Sequence, residues 1–427
     1  MPEKFVIHGG NALHGTVDAT GAKNAAVAAV PATILASGPC VLENLPRIAD
    51  VMIMKRILEQ LGAQTEFEGD IMAVNTASVN TSSALFPLCT RLRASYYFVG
   101  ALLARFGRAE TLLPGGCAIG ERPIDQHIKG WRALGADVRV EHGRIVAEAP
   151  NGLHGADIYM DCVSVGATIN IMLTACAASG VTTIVNAAKE PHVVDLANFL
   201  ISMGAKIKGA GTDVVRIVGG RPLHGSSYAI IPDQIETGTL MIAAAATRGD
   251  VTIRNVIPRH MEALTAKLVE MGVQVDEGAD YLRVRTPRPL RAVRIKTMPY
   301  PGFPTDLQQP ATVLLSTASG ASMITESIFE SRFKHITEIR RMGADIDVED
   351  KVAVVHGVPR LTGTSVRATD LRAGAALIVA GLMADGVTEI SNIKYIDRGY
   401  DHIENKLNHL GADIRRESEE ELDEYLF

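Results

Sequence analysis

Residues 114 to 127 read Pro-Gly-Gly-Cys-Ala-Ile-Gly-Glu-Arg-Pro-Ile-Asp-Gln-His, a thiol framed by glycines and prolines and followed by a guanidinium and an imidazole. Neighbouring cations lower a thiol pKa below its reference of about 8.5, which makes the sulfur more reactive. Cys117, beside Arg122 and His127, is therefore the candidate reactive cysteine. Gly-rich loops of this kind tend to carry function. Cys40, Cys89, Cys162 and Cys176 read instead as small structural thiols. Cys176, for one, follows the apolar run Ile171-Met172-Leu173-Thr174-Ala175. The five cysteines have no metal-site spacing, and a reduced cytoplasmic setting fits them.

A second set of groups stands just ahead of apolar stretches: Lys23-Asn24, Arg93-Ala94-Ser95, Ser164-Val165-Gly166, Glu236-Thr237-Gly238, Asp306 and Arg372. If each stretch is a helix, its first N–H groups and its positive dipole end make an anion site. Ser164, Thr237 and Asp306 can also be read as helix caps. Capping does not explain Lys23, Arg93 and Arg372, because a cation at a helix N-terminus needs an anion beside it. The later part of the chain also sets acids among bases: Thr305-Asp306, Glu330-Ser331-Arg332, Asp370-Leu371-Arg372 and Asp397-Arg398. A lone Arg beside an Asp is usually a surface pair worth little, but three arginines at repeat-equivalent helix or turn starts are not explained that way.

The elements that must position these groups repeat six times. A Leu/Met-Gly-Ala/Val tripeptide recurs with its glycine at Gly62, Gly135, Gly204, Gly272, Gly343 and Gly411, spaced 68 to 73 residues apart. In register with it, an apolar run closes at Gly38, Gly107, Gly180, Gly249, Gly320 or Gly386. Two markers in step mean one supersecondary unit copied along the chain. Each copy predicts an apolar helix, a short β-branched strand, an amphipathic helix ended by the tripeptide, and a strand pair. Helices apolar on all sides, such as the one through Leu240 to Ala246, belong inside, with sheets wrapped around them. The chemistry of the sequence places a boundary in the Gly/Ser-rich stretch 220–228. The first twenty residues form a strand pair that could complete either half. Three helix heads per half, all aimed the same way, would build an electropositive cleft on an acidic protein.

Bulk composition narrows the function classes. With 47% hydrophobic and 21% charged residues over 427 positions, the chain reads as a globular protein of two or three domains. A net charge of −6 without a basic run, and only 5% aromatics, argue against nucleic-acid binding. The N-terminus lacks the apolar core of a leader peptide, and apolar runs of about 12–16 residues are short for a bilayer span.

Taken together the motifs resemble the UDP-N-acetylglucosamine 1-carboxyvinyltransferases of the enolpyruvyl transferase family. The resemblance rests on Gly21-Ala22-Lys23-Asn24-Ala25, Leu92-Arg93-Ala94-Ser95, the Cys117 loop, Val163-Ser164-Val165-Gly166-Ala167-Thr168, Pro232-Asp233 with Glu236-Thr237-Gly238, Phe303-Pro304-Thr305-Asp306 and Asp397-Arg398-Gly399-Tyr400. It spans essentially the whole chain. It implies an α/β fold of two inside-out, barrel-like domains, each of three repeated units with sheets outside and buried helices inside. The implied domains are 22–229, and 1–21 joined with 230–427.

The resemblance further implies transfer of enolpyruvyl from phosphoenolpyruvate to the 3′-hydroxyl of UDP-N-acetylglucosamine, with no metal or organic cofactor. Cys117 would be the proton donor and the site alkylated by fosfomycin, Asp306 the base, and Lys23 and Arg398 further catalytic groups. Lys23, Asn24, Arg122, Arg332, Arg372 and Arg398 would hold phosphoenolpyruvate. UDP-N-acetylglucosamine would lie against Arg93, the stretch Arg122-Pro123-Ile124-Asp125-Gln126, Ser164, Val165, Gly166, Asp306 and Ile328. Where some relatives carry Lys, this chain has Cys162, which removes one cationic contact to the diphosphate. The same fold would also suit a 3-phosphoshikimate 1-carboxyvinyltransferase or a non-catalytic paralogue; the Cys117 loop and the context of Arg93 favour the nucleotide sugar.

Overall fold

A computed structural model describes residues 3–113 and 123–418, so Cys117 and Arg122 lie outside the described residues. The repeat predicted from the two glycine markers is built in α/β form. All six tripeptide glycines take the left-handed conformation, with φ between 96° and 104°, immediately after an amphipathic helix. A side chain at φ near +100° is strained, so glycine is the residue that lets each helix stop and turn into its strand pair.

The described residues form six four-stranded sheets of one pattern. In a representative sheet, Asp157–Tyr159 runs parallel to Val181–Val185, which pairs antiparallel with Val214–Val218, which in turn takes Lys206–Lys208 on its far side. The parallel edge strand comes from the end of the preceding repeat, so each repeat is stitched to its neighbour.

The chain divides into two compact units, residues 21–113 with 123–231 and residues 3–20 with 232–418. Each closes on itself. In the first, Ser227–Ala229 returns to lie parallel to Cys40–Glu43. In the second, the N-terminal strands make the closure: Glu3–His8 inserts between Val387–Ser391 and Asp413–Ser418, and His14–Asp18 runs parallel to Asp250–Arg254. The Gly/Ser-rich stretch 220–228 is thus not where the chain crosses. It leads into an edge strand of the first unit, and the seams fall at 20/21 and 231/232.

Apolar helices occupy the interior of each unit: Lys23–Ala32, Tyr97–Phe106 and Val165–Ala175 in one, Gln234–Ala246, Gln308–Leu315 and Leu371–Met383 in the other. Small residues permit the close crossing of these helices. A Cβ on Gly100 would fall 2.5 Å from Asn170 Oδ1, which instead accepts the Gly100 N–H at 3.1 Å. Each unit has its own apolar core around these helices. Among the described residues no helix is long and apolar enough to cross a membrane.

Candidate active-site clusters

In the second unit one carboxylate holds two buried arginines. Asp306 lies in the short turn Thr305–Leu307 that feeds the inner helix Gln308–Leu315. One of its oxygens accepts from Arg332 Nη2 at 2.6 Å, and the other from Arg372 Nε and Nη2 at 3.2 and 3.0 Å. The arginine side chains are only 3% and 5% exposed, against 27% for Asp306. Arg372 Nη1 and Arg332 Nε are buried and lack a hydrogen-bond partner among the described residues. Buried donors without partners are costly, so this cluster is poised to receive an anion.

The Arg372 guanidinium lies 5.5 Å from the centre of the Tyr400 ring, and the Tyr400 hydroxyl exchanges a 2.8 Å hydrogen bond with Thr239. Burial by itself would weaken the proton affinity of Arg372. The charges of Asp306 and Asp233, with the Tyr400 hydroxyl beside it, outweigh it and leave the guanidinium pKa raised. Asp370 caps the helix that carries Arg372, accepting from the Arg372 and Ala373 N–H groups at 2.9 and 3.0 Å. Arg398 is half-buried and ends the turn Ile393–Arg398, two residues before Tyr400.

Glu326 organises the loops that bear Asp306 and Arg332. It is 1% exposed and accepts from Thr297 Oγ1 and the Ile328 N–H through one oxygen, both at 2.8 Å, and from Thr305 Oγ1 at 2.8 Å through the other. Thr305 Oγ1 in turn accepts from Arg332 Nη1 at 3.1 Å. Ile328, expected as a nucleotide-sugar contact, therefore has its backbone set by Glu326.

The first unit carries a separate cluster. Arg93 donates to the Tyr96 hydroxyl at 3.0 Å, and the Tyr96 ring meets His127 edge-on at 4.8 Å. Asn170 Oδ1 is taken by Gly100, so its amide faces His127 Nδ1 at 3.0 Å, which assigns the ring proton to Nε2. Burial, helped by the charge of Arg93 and opposed by Asp125, pushes His127 down to about 3. This corrects the expectation that His127 is a cation beside the Cys117 loop: it is a neutral ring, 3% exposed, packed beneath the helix heads.

Gly166 allows that packing, since a Cβ there would stand 3.0 Å from the ring. Ser164 caps Val165–Ala175 by accepting the Ala167 N–H at 3.3 Å. Gln126 ties the 123–127 stretch to the segment before that cap, donating to Asp161 Oδ2 at 3.1 Å and accepting the Asp161 N–H at 3.0 Å. Gln126 also donates to Asp125 at 2.7 Å. Arg93, Asp125, Gln126, Ser164, Val165 and Gly166 are thus held in one connected network, with Pro123 and Ile124 leading into it.

Lys23 opens its inner helix with Asn24 next to it, and its ammonium lies 2.7 Å from Asp50, a wholly buried carboxylate. Of the three candidate caps only Ser164 caps. Thr237 donates to the Asp233 carbonyl while Asp233 is the cap, and Asp306 serves the arginines. Cys40, Cys89 and Cys176 are buried as expected, and burial pushes the Cys176 thiol up to about 12. Cys162 is exposed, contrary to the structural reading of it, and partial desolvation of its thiol, together with Asp125 and Asp161, raises its pKa.

Sequence reasoning missed Asp50 and Glu326. The signal for Glu326 was present: Asn44, Asn186, Asn255 and Asn392 each stand six residues past the glycine of the second marker, and Glu326 holds that place after Gly320.

Comparison with known proteins shows the family and the fold. A model of the family described as EPSP synthase (3-phosphoshikimate 1-carboxyvinyltransferase) matches residues 7–407. A UDP-N-acetylglucosamine 1-carboxyvinyltransferase 2 of Clostridium acetobutylicum is 55% identical over 416 residues, 97% of this chain and 99% of the relative. One from Geobacillus kaustophilus is 53% identical over 424 residues, covering 99% of each. Among solved structures, the enolpyruvyl transferase NikO from Streptomyces tendae superposes with a TM-score of 0.88 at 29% identity, over 98% of this chain and 100% of that one. EPSP synthase from Acinetobacter baumannii, at 18% identity with a TM-score of 0.76 over 97% of this chain and 100% of its own, shares the fold.

Proposed function

The chain belongs to the UDP-N-acetylglucosamine 1-carboxyvinyltransferases of the enolpyruvyl transferase family, and from this we infer that it moves the enolpyruvyl group of phosphoenolpyruvate onto the 3′-hydroxyl of UDP-N-acetylglucosamine with release of phosphate. The reaction serves the first committed step of peptidoglycan synthesis, in the cytoplasm. The observation that carries this reading is Asp306 held between Arg332 and Arg372, with buried guanidinium N–H groups left over for an anion.

The chemistry is addition followed by elimination. The sugar oxygen attacks C2 of phosphoenolpyruvate while Asp306 takes the hydroxyl proton and the thiol of Cys117 protonates C3. The resulting tetrahedral ketal expels phosphate and gives a C3 proton back to the Cys117 thiolate, restoring the double bond in the product. Each carboxylate oxygen has two acceptor sites, so Asp306 can take a proton while it holds its arginines. Lys23, Asn24, Arg122, Arg332, Arg372 and Arg398 offset the charge of phosphate and carboxylate, worth most where water is excluded. Arg93, the 122–126 stretch, the turn Ser164-Val165-Gly166 and Ile328 hold the nucleotide sugar. Cys117 also forms a covalent adduct with phosphoenolpyruvate and is the residue fosfomycin alkylates.

Phosphate release measured with each acceptor tests the reading. Turnover with UDP-N-acetylglucosamine and none with shikimate 3-phosphate is expected. Turnover with shikimate 3-phosphate alone overturns it, and absence of release with either marks a non-catalytic paralogue. Cys117→Ser loses fosfomycin labelling and most turnover; mass spectrometry finding the drug on Cys40 or Cys162 would contradict that assignment.

A further inference from the structure

Four of the six repeats place an asparagine at the end of the strand that follows the inner helix, all with φ between 53° and 62°. The amide has a local structural task. Asn44 donates to the Ile230 carbonyl at 2.8 Å, Asn186 to that of Met160 at 2.9 Å and Asn255 to that of Ala19 at 2.8 Å. In each case the acceptor follows the parallel edge strand of the same sheet, so the asparagine fastens the strand end.

The rule holds at these three asparagines; the Asn392 side-chain carbonyl instead faces the Arg367 guanidinium, and repeat five departs further, with Glu326 at the place. The position is spatially equivalent, because Glu326 bonds Thr297, the residue after the parallel edge strand Arg294–Lys296. The chemistry is reversed: a donor amide has become a buried acceptor carboxylate. Among the described residues no cation pairs with it. A buried carboxylate without a cation is expensive and is not what strand fastening requires, since an amide does that elsewhere.

We propose that Glu326 is a positioning residue for the transfer reaction, holding the Arg332 guanidinium and the Asp306 carboxylate in reacting geometry through the Thr305 hydroxyl. The direction of the hydrogen bonds explains the need for a carboxylate. Thr305 gives its only hydroxyl proton to Glu326 and so turns lone pairs toward Arg332 Nη1, while Arg332 Nη2 holds Asp306. The other Glu326 oxygen accepts the N–H groups of Ile328 and Phe329 at 2.8 and 3.3 Å, and the Phe329 ring lies 5.1 Å from the Arg332 guanidinium. Arg332 is thereby located from two sides. An amide with its NH2 toward Thr305 would leave the threonine proton without an acceptor and release the chain at its middle link.

The proposal rests on reading the Asp306 cluster as the reacting site, so its test has one arm that needs turnover and one that does not. Glu326→Gln and Thr305→Val should each lower kcat per folded molecule by roughly 10- to 100-fold, the scale of a misplaced reacting group, with KM for both substrates within about three-fold. Thr305→Ser should recover most of what Thr305→Val loses. The double variant Glu326→Gln/Thr305→Val should lose no more than the worse single, because both act through one link. Multiplying losses in the double variant, or losses explained by the folded fraction alone in thermal unfolding, overturn the proposal. Independently of any reaction, arginine side-chain nitrogen NMR should show the Arg332 signal moved in Glu326→Gln and the Arg360 signal unmoved. An unmoved Arg332 signal refutes the link even in a protein that turns over nothing.

Discussion

The ammonium of Lys23 sits 2.7 Å from a carboxylate of Asp50 that has no exposure to solvent. The two come from different helices of one repeat, Lys23 from the start of the inner helix and Asp50 from the first turn of Ala49–Gln60. A cation at the positive end of a helix is held there by an anion from its neighbour.

Asp50→Asn removes the anion 2.7 Å from the ammonium of Lys23, whose side chain is 12% exposed. The expected cost is about 3–5 kcal/mol in denaturant unfolding. Adding Lys23→Met in the same chain should restore part of the stability and none of the turnover. A single variant as stable as the parent would show that the pair contributes little.

Asp306→Asn keeps the shape of the side chain and removes the proposed base. Phosphate release with UDP-N-acetylglucosamine should fall by about 10²–10⁴ in kcat, the usual worth of a positioned acid or base. KM for phosphoenolpyruvate should change far less. A kcat within three-fold of the parent would remove Asp306 from the proton-transfer step.

Acid should destabilise the fold through two buried histidines. Burial, with Arg93 adding and Asp125 opposing, holds His127 at about 3. Burial likewise holds His335 at about 4, with Asp370 opposing and Arg332 adding. Below about 6.5 the unfolded chain protonates both and the folded chain neither, so this stability is complete above pH 6.5 and declines as pH falls toward those values. Each contributes about 1.4 kcal/mol per pH unit inside that window. Urea unfolding at pH 7 and pH 5 should show a drop that is smaller by about 2 kcal/mol in His335→Met. Equal drops in parent and variant would mean that His335 titrates normally in the fold.

Cys162 is exposed and near Asp125 and Asp161, so residue 162 itself offers no cation to the proposed nucleotide-sugar subsite, and the neighbouring Lys129 is paired with Asp161 at 2.7 Å. Cys162→Lys should lower KM for UDP-N-acetylglucosamine by about two- to five-fold, the range of one exposed ion pair, and lose the gain in high salt. Fosfomycin labelling of Cys117 should be unaffected. An unchanged KM in low salt would place the diphosphate away from residue 162.

The repeat, the inner helices and the cations at their heads were legible because periodicity and glycine spacing survive in one sequence. Lys23, Asp306 and Arg372 stood out because cations or acids at the head of an apolar run lack a packing reason. Asp50 did not, because a single aspartate in an amphipathic helix looks like any solvated residue until Lys23 is brought to it. His127 misled for a related reason: sequence adjacency to Cys117 suggested a shared surface, while the helical turn from Asp125 onward buries the ring beside Tyr96 and Asn170. The boundary was displaced because a polar Gly/Ser stretch marks a turn equally well before an edge strand as between domains.

The strand Glu3–His8, paired on one side with Val387–Ser391 and on the other with Asp413–Ser418, sets a timetable for synthesis. The unit around residues 21–231 has every strand it needs soon after its last residue leaves the ribosome. The other unit must keep Glu3–His8 waiting, with both edges unpaired, until nearly the whole chain has been made. Waiting edges are where aggregation begins, and distant partners slow folding. A circular permutant that begins near residue 232, with residue 427 joined to residue 1, would make the sheet of Ser365–Arg367, Val387–Ser391, Glu3–His8 and Asp413–Ser418 from consecutive chain. It should refold faster and aggregate less during translation, with the same set of strand pairs in the finished protein.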